Sequence, residues 1–469
     1  MELDMTKGKP LPLLLKFMIP VVIGSLFQQL YNMADTMIVG RYVGVRALAA
    51  VGATGSVSFL ILGFAVGMTM GFTVMTAQRF GAGDLEGMKK SVGSAVLLSV
   101  AAAVLLTAAS LAGMSTLLAW MHTPEDILPL SKEYLTIICA GLCGIVSYNL
   151  LASILRAIGN SVAPLILLLI SSVVNVALDL VFVAGLGMGV AGAAYATVIS
   201  QGLADVLCVI YIIRKVPSLR IGKRHWKPEG RNVKNQLAVG VPMALQFSIT
   251  AVGTILVQGA LNLLGSMVVA SYSVSSKIEQ LVTQPFAAMG VTMATYCAQN
   301  RGVDDIGRIR EGVRLGNVIS AAYAVAVYGV VYLILPFAIR LFVTQDVELI
   351  YGYARTYIVI NGACFIPLGM IFLFRNALQG CGYGFLPMMG GVVELVCRAA
   401  VAFIAARMLS YRGVCFANGS TWLTTGIFFW IVYHVLMKKL ARRQNGKPVQ
   451  ETEGKPGAEG RMKACRRGR

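Results

Sequence analysis

Residues 28–40 read QQLYNMADTMIVG and interrupt a long apolar run with several polar side chains. Gln28, Tyr31, Asn32 and Asp35 are spaced so that a helix would carry them along one face. A charged group near the centre of a bilayer costs about 2.5–3.5 kcal/mol on insertion scales, and it therefore usually lines a cavity. The stretch predicts a membrane-spanning helix with one functional polar face. The alternative is that Asp35 lies at the membrane–water interface, where water solvates it.

The composition indicates a membrane protein along the whole chain. Hydrophobic residues make up 57% of the 469 residues and charged residues 13%, whereas soluble proteins carry roughly 25% charged residues. The N-terminus lacks the features of a cleaved signal peptide, so we expect the first apolar segment to remain as a helix. The net charge is +19, but the basic residues concentrate in loops and the C-terminal tail. That distribution fits the positive-inside rule rather than a nucleic-acid partner.

Motifs of common enzyme classes are missing from the sequence. The three histidines are His122, His225 and His434, and no H-E-x-x-H zinc motif occurs. No G-x-x-x-x-G-K-[ST] phosphate loop is present, so ATP is not expected to drive this chain directly. We expect neither enzymatic activity nor a bound cofactor, and an ion gradient remains as the source of energy.

Twelve apolar runs predict an all-α polytopic membrane protein with twelve transmembrane helices. Several runs exceed the roughly 20 residues needed to cross the hydrocarbon core, so we expect tilted or kinked helices. The predicted spans are 13–40, 47–79, 91–120, 132–155, 162–184, 191–213, 236–264, 268–299, 313–342, 350–379, 386–409 and 416–440.

Loop charges predict which side of the cell membrane each loop faces. Basic residues concentrate after spans 2, 6 and 8, and most densely in the connector 214–235. These loops, and with them both termini, are therefore expected to be cytoplasmic. The predicted organisation is an N-terminal segment 1–12, an N-lobe 13–213, the connector 214–235, a C-lobe 236–440 and a basic, disordered tail 441–469.

Two sequence motifs recur at nearly the same offset and reveal an internal repeat. Residues 77–81, AQRFG, align with residues 298–302, AQNRG, at an offset of 221. LRAIGNSVAP at 155–164 aligns with LQGCGYGFLP at 378–387 at an offset of 223. Because each half holds six spans, the halves share one orientation in the membrane. Two pseudo-symmetric six-helix lobes of this kind are a transporter architecture.

A second carboxylate falls within span 5. Asn175 and Asp179 are four residues apart, so they share a helical face. Span 6 adds Tyr195 and Thr197. If these spans and span 1 line one lobe, two carboxylates, an amide and a hydroxyl converge near Asp35. Such a group suits a hard cation, possible here as Na⁺, or a proton shared by two carboxylates. The alternative is two unrelated interfacial aspartates.

The remaining polar candidates lie in span 4 and in the C-lobe. Span 4 contributes Tyr134 and Asn149 as candidate cavity residues. Lys277 and Glu279 begin span 8, and the alternative for them is a snorkelling lysine beside an interfacial glutamate. Glu394 and Arg398 of span 11 have the i,i+4 spacing of an ion pair, which favours a structural role. The C-lobe polar candidates are therefore Lys277, Glu279 and Glu394.

These features together resemble the multidrug and toxic compound extrusion (MATE) family, with similarity to its bacterial NorM and DinF types. The resemblance rests on the spacing of Pro20, Gln28, Tyr31 and Asp35, on the A-Q motifs that close spans 2 and 8, on LRAIGNSVAP, and on the span 5 pair. It implies two lobes in a V shape that export organic cations in exchange for Na⁺ or H⁺.

The resemblance also assigns roles to individual positions. It implies a cation or proton site made by Asp35, Asn175, Asp179 and Thr197. Gln28, Tyr31 and Tyr134 match positions around the N-lobe cavity, to which the polar stripe adds Asn32 and span 4 adds Asn149. The aspartate that NorM-type members carry in span 10 is missing from CFIPLGMIFLFRNALQG. Ion binding is therefore expected in the N-lobe.

The favoured hypothesis is a secondary active exporter of organic cations, monomeric and surrounded by membrane lipids. Ion binding at Asp35 and Asp179 would favour one arrangement of the lobes, and Pro20 would act as a hinge in span 1. One alternative is a flippase or exporter for a lipid-linked or polysaccharide precursor in the same superfamily. An intramembrane enzyme is a further alternative, against which the missing catalytic motifs argue.

Overall fold

The computed structural model describes residues 2–120, 124–342 and 347–445, and these ranges are almost wholly helical. A π-helical segment, Leu180–Gly185, continues α6. The α-helices are α1 (Pro10–Tyr42), α2 (Val45–Gly81), α3 (Leu85–Trp120), α4 (Leu128–Ala140), α5 (Leu142–Ala157), α6 (Val162–Asp179), α7 (Gly189–Lys215), α8 (Gly230–Asn262), α9 (Ser266–Gly302), α10 (Ile306–Phe342), α11 (Val347–Gly362), α12 (Phe365–Gly380), α13 (Phe385–Arg407) and α14 (Tyr411–Asn445).

Each predicted span corresponds to one helix or to two helices in series. Within the described ranges, nine helices are long and apolar enough to cross a bilayer. Two further spans are bent pairs: α4 and α5 meet at 50°, and α11 and α12 meet at 49°. The remaining span is α9, a helix of 37 residues in which serines, threonines and glutamines, as well as Lys277 and Glu279, lie among the apolar residues. The all-helical membrane fold predicted from the sequence is confirmed.

The repeat predicted from the sequence is present in the backbone. The bent pair is the fourth span in each half. Left-handed backbone positions also recur at the repeat offsets: Gly44 matches Gly265 at 221 residues, and Gly159 matches Gly382 at 223 residues. Since a positive φ marks a particular turn, the same turns join equivalent helices in both halves. We refer to α1–α7 as the N-lobe and to α8–α14 as the C-lobe.

The two lobes meet most closely where α2 lies along α8 and α9. A Cβ atom on Gly71 would lie 2.4 Å from the Cα atom of Gly240, and one on Gly81 would lie 2.1 Å from the carbonyl oxygen of Gln299. Toward the other end of α2, a Cβ atom on Gly55 would meet nothing within 4 Å. Backbone-to-backbone packing is therefore concentrated at the end of the molecule where α2 and α9 finish.

Residues 2–9 lie between the lobes at this same end. The backbone N–H of Met5 donates to Oε1 of Gln299 at 2.8 Å, and that of Leu3 donates to the carbonyl of Ile158 at 3.2 Å. The segment is thus bonded to both lobes. Within the described ranges, the hydrogen bonds that join the N-lobe to the C-lobe all lie at this end.

The C-terminal end of the described chain lies there too. α14 continues to Asn445, and Nε2 of Gln444 donates to the carbonyl of Asp304 at 2.8 Å. The first residues of the predicted tail are therefore helical. Residues 446–469 and His122 lie outside the described residues. We call the end of the molecule that carries residue 2 and residue 445 the terminal end.

The connector between the lobes is an ordered segment with two short 3₁₀ turns, Pro217–Leu219 and Lys223–Trp226. Glu86, at the start of α3, accepts hydrogen bonds from Nε2 of His225 at 3.1 Å and from Nη2 of Arg224 at 3.0 Å. The hydrogen bond from His225 and the charge of Arg224 lower the pKa of Glu86 below its ordinary value of 4.5. This attachment is therefore present at neutral pH and is lost as the pH falls through the lowered pKa.

Loss of the Glu86 carboxylate is expected to loosen the connector. In Glu86→Gln protein, trypsin should cleave after Lys223 and Arg224 faster than in the unmodified chain, because the ionic contact to α3 is removed. The matched control is Glu125→Gln, an exposed glutamate in the loop before α4. Mass spectrometry of the fragments measures the rate of cleavage at each site. Equal cleavage rates in the two variants would contradict the attachment of the connector to α3.

The lobe contact can be tested with a single added methyl group. Gly71→Ala is expected to destabilise the protein by about 1–3 kcal/mol, because the new Cβ overpacks a contact between two backbones. Gly55→Ala introduces the same methyl group into the same helix where the space is open, so it should leave stability unchanged or raised. Thermal unfolding in detergent measures both, and equal melting temperatures would argue against close packing at Gly71.

Candidate functional site

The polar stripe of residues 28–40 lies in the second half of α1. Tyr31 and Asp35 are partly buried, whereas Gln28 and Asn32 are exposed. Oδ1 of Asp35 is inaccessible to solvent and has no hydrogen-bond partner. The inner edge of the stripe is therefore formed by Tyr31 and Asp35, and Asn32 points away from it.

Asn175 and Asp179 occupy consecutive turns of α6, which packs between α1 and α7. Both side chains are buried, and Asp179 is completely inaccessible. Asp179 is the last residue of α6 before the π-helical segment Leu180–Gly185. A widened turn of this kind changes the direction of the side chains around it, and such turns are frequent at functional sites.

The carboxyl groups of Asp35 and Asp179 are close neighbours and interact with each other. Five buried polar atoms at this place have no hydrogen-bond partner: Oδ1 of Asp35, both carboxylate oxygens of Asp179, and the oxygen and nitrogen of the Asn175 amide. Buried polar groups are normally hydrogen-bonded, and two adjacent carboxylates repel each other when both are charged. A hard cation or a shared proton would satisfy the oxygens and remove the repulsion.

Two tyrosines border the carboxyl pair. Tyr31 lies close to the side chains of Gln28 and Gln201. Tyr134 of α4 lies close enough to both carboxylates to interact with their charge. Gln201 was not singled out from the sequence. Its signal is a glutamine in the middle of the predicted span 6, one helical turn beyond Thr197.

The two predicted residues of span 6 have different surroundings on α7. Thr197 donates its hydroxyl proton to the carbonyl of Ala193 at 3.0 Å, so its oxygen lone pairs remain available to a ligand. Tyr195 is 43% exposed and lies on the outer surface of the helix.

Pro20, Gln28 and Asn149 line a separate small cavity of about 100 Å³ between α1, α5 and α6. Arg156 lines it as well and donates from Nη2 to Oγ of Ser153 at 2.9 Å. The sequence pointed to the motif LRAIGNSVAP that contains Arg156, but not to the arginine itself. α1 remains one helix across Pro20.

The C-lobe candidates also separate into different environments. Nη2 of Arg398 donates to Oε1 of Glu394 at 2.6 Å, and both side chains are buried, so the predicted i,i+4 ion pair is present. Lys277 is exposed. Glu279 lies near Tyr357 and Tyr272, and its Oε2 is buried without a hydrogen-bond partner.

One carboxylate at membrane depth was overlooked in the sequence. Asp205 lies in α7, and its Oδ1 accepts a hydrogen bond from Oγ of Ser147 at 3.0 Å. It lines a cavity of about 740 Å³ between α3, α5 and α7, away from the Asp35–Asp179 pair. The signal in the sequence is a lone acid in the apolar run GLADVLCVIY.

Comparison with known proteins agrees with this two-lobe architecture. The MatE family model matches the chain twice, over residues 20–181 and 242–404, which places one match in each lobe. The chain belongs to the MatE family. It is therefore a multi-pass membrane transporter and not an enzyme.

Several relatives of this MatE chain carry names connected with drug resistance. The probable multidrug resistance protein YpnP of Bacillus subtilis is 26% identical over 433 residues, which is 92% of this chain and 96% of YpnP. The probable multidrug resistance protein NorM of Thermotoga maritima is 25% identical over 84% of this chain and 85% of NorM. A structure described as the outward-facing conformation of a multidrug resistance MATE family transporter superimposes with a TM-score of 0.88 at 24% identity, covering 93% and 98% of the two chains.

The Glu394–Arg398 pair gives a stability prediction. Glu394→Gln should destabilise the C-lobe by about 3–5 kcal/mol, because it leaves the Arg398 guanidinium charged and buried. The double variant Glu394→Gln/Arg398→Met should recover most of that loss, since it removes both charges. Melting temperatures of the purified variants measure this. A double variant as unstable as the single one would contradict a purely structural pair.

Proposed function

We propose that this MatE protein is a secondary active exporter that moves small organic, mostly cationic compounds in exchange for Na⁺ or H⁺. The observation that carries the proposal is the buried pair Asp35–Asp179, whose oxygens lack partners beside the equally unpartnered amide of Asn175. The lone pairs of Thr197 complete the proposed ion site. Tyr31, Tyr134 and Gln201 border it, and Gln28, Asn149 and Pro20 line the neighbouring cavity.

Binding of a cation or a proton between Asp35 and Asp179 can change the arrangement of the two lobes. With a cation or proton bound, the two carboxyl groups can remain close together in an apolar environment. Without it, both are charged and repel each other, which favours a different position of α1 relative to α6. An ion shifts a conformational equilibrium only by its difference in affinity for the two states. Bending at Pro20 is the proposed way in which α1 moves.

The distribution of basic residues indicates how the protein is oriented in the membrane. We place the terminal end in the cytoplasm of a cell-membrane protein, because the basic connector lies there, together with the first and last described residues. The lobes are packed together at that end, so the arrangement corresponds to a cytoplasmic side closed to substrate. The proposed units are the N-lobe 13–213, the connector 214–235 and the C-lobe 236–440, in a monomeric protein surrounded by lipid.

Transport by purified protein in liposomes tests the proposal. Uptake of a fluorescent organic cation into the liposomes is measured under an imposed Na⁺ gradient and, separately, under a pH gradient. We expect one of the two gradients to drive transport, and Asp35→Asn and Asp179→Asn each to lower the driven rate at least about 10-fold, a typical size for loss of a coupling free energy above 1.4 kcal/mol.

Two controls separate loss of coupling from loss of folding. Asp205→Asn removes a different carboxylate at membrane depth and should retain driven transport. The melting temperature of Asp35→Asn protein should stay close to that of the unmodified chain. Driven transport at an unchanged rate by Asp35→Asn protein would refute the ion site, whereas flipping of a lipid-linked precursor without cation export would favour the flippase alternative.

A further inference from the structure

A third cavity, in the C-lobe, combines basic and aromatic side chains. It has a volume of about 570 Å³ and lies between α10, α12 and α14. Arg310, Arg314 and Lys438 line its outer part, and Trp430 and Tyr433 line its inner part. We call it the C-lobe groove.

The positions of these residues along their helices set the groove at the membrane surface. Arg310 and Arg314 lie four and eight residues after the start of α10 at Ile306, so they are within about 12 Å of the terminal end of that helix. Trp430 lies eight residues before Lys438 in α14, which places it about 12 Å deeper. The basic groups are thus at headgroup level, and the aromatic rings lie beneath them, as aromatic residues commonly do at a membrane interface.

The charge and hydrogen bonding of the groove favour an anion. No acidic residue lines it within the part of the chain that the structure describes, and Lys438 continues into a neighbouring groove lined by Lys439, Arg442 and Arg443. The hydroxyl of Tyr433 is buried, since the residue is 4% exposed, and it has no hydrogen-bond partner.

Arg310 keeps the two walls of the groove together. Its Nη2 donates to the carbonyl of Met437 at 2.7 Å, so α10 and α14 are joined at the depth of the basic groups. Glu311, the next residue along α10, lies about 100° around the helix from Arg310 and does not line the groove. The positive charge of the groove is therefore not balanced from within.

The repeat supplies an internal comparison. Val313 and Asn317 of the C-lobe groove correspond, at an offset of 221, to Val92 and Val96 of the N-lobe cavity that contains Asp205. The N-lobe cavity carries a carboxylate, and connector residues 219–221 and Trp226 line it at the terminal end. The N-lobe cavity thus holds Asp205 together with Arg220 and is covered by the connector. The C-lobe groove has no such carboxylate, so its basic lining is a property of its own side chains.

We propose that the C-lobe groove binds an anionic phospholipid from the leaflet at the terminal end. The phosphate lies against Arg310, Arg314 and Lys438, the Tyr433 hydroxyl donates to a phosphate or ester oxygen, and an acyl chain lies along Trp430 and Phe374. Basic pockets between membrane helices have the chemistry to hold such headgroups. The site is independent of the ion pair and of transport.

Native mass spectrometry of the full-length protein in detergent tests this site. Phosphatidylglycerol and phosphatidylcholine are titrated separately, and the first phosphatidylglycerol is expected to bind more tightly than phosphatidylcholine. Arg314→Gln/Lys438→Gln should weaken that binding about 25-fold, since each basic group near an anionic lipid contributes roughly fivefold. Tyr433→Phe, which keeps the ring and removes the donor, should weaken it by a smaller factor.

The matched control is Arg214→Gln/Lys215→Gln. It removes two exposed charges from the end of α7, the N-lobe counterpart of α14, and should leave the affinity within about twofold. An equal loss in this control would show general attraction to basic loops and overturn the site. So would equal affinity for the two lipids, or displacement of phosphatidylglycerol by soluble glycerol phosphate at similar concentration.

Discussion

Two carboxyl groups held face to face in an apolar lobe are the constraint on which the structure depends. Because Asp35 and Asp179 are buried side by side, two negative charges there would repel each other unless a cation or a proton lay between them. α1, which carries Asp35, packs on α6 within its own lobe and on α9 and α10 of the C-lobe. A change in the state of the pair therefore acts on a helix that touches both lobes.

The lobes are in close contact at the terminal end, where α1 begins, so a movement of α1 would act on this contact. Backbone packing between the lobes at Gly71 and Gly81 has no room for even one methyl group, and residues 2–9, which directly precede α1, are hydrogen-bonded to both lobes. Because these contacts are short-range and directional, separation of the lobes at this end would break them. Such a contact surface favours two discrete arrangements over gradual deformation.

The sequence predicted the helices and the repeat because hydrophobic runs and recurring motifs are local signals. It also predicted Asp35 and Asp179 as candidate site residues, and the structure brings the two side chains together. It did not predict that spans 4 and 10 are bent, since a break at Gly141 depends on tertiary packing: a Cβ there would lie 2.4 Å from Val198. The outward direction of Asn32 and the cavity at Asp205 depend on how each helix is rotated in the bundle. The spacing of residues within one helix does not define that rotation.

The most direct test is a distance between the lobes measured while the state of the carboxyl pair is changed. Spin labels are attached at Leu186→Cys and Met408→Cys in a cysteine-free background. Both positions are exposed, are equivalent in the repeat and lie at the end opposite the terminal end. Double electron–electron resonance then measures the distance between the lobes. We predict that lowering the pH or adding Na⁺ shifts the distance distribution, and that Asp35→Asn/Asp179→Asn protein keeps one distribution in all conditions. An equal shift in that variant, or no shift in the unmodified chain, would contradict control of the lobes by this pair.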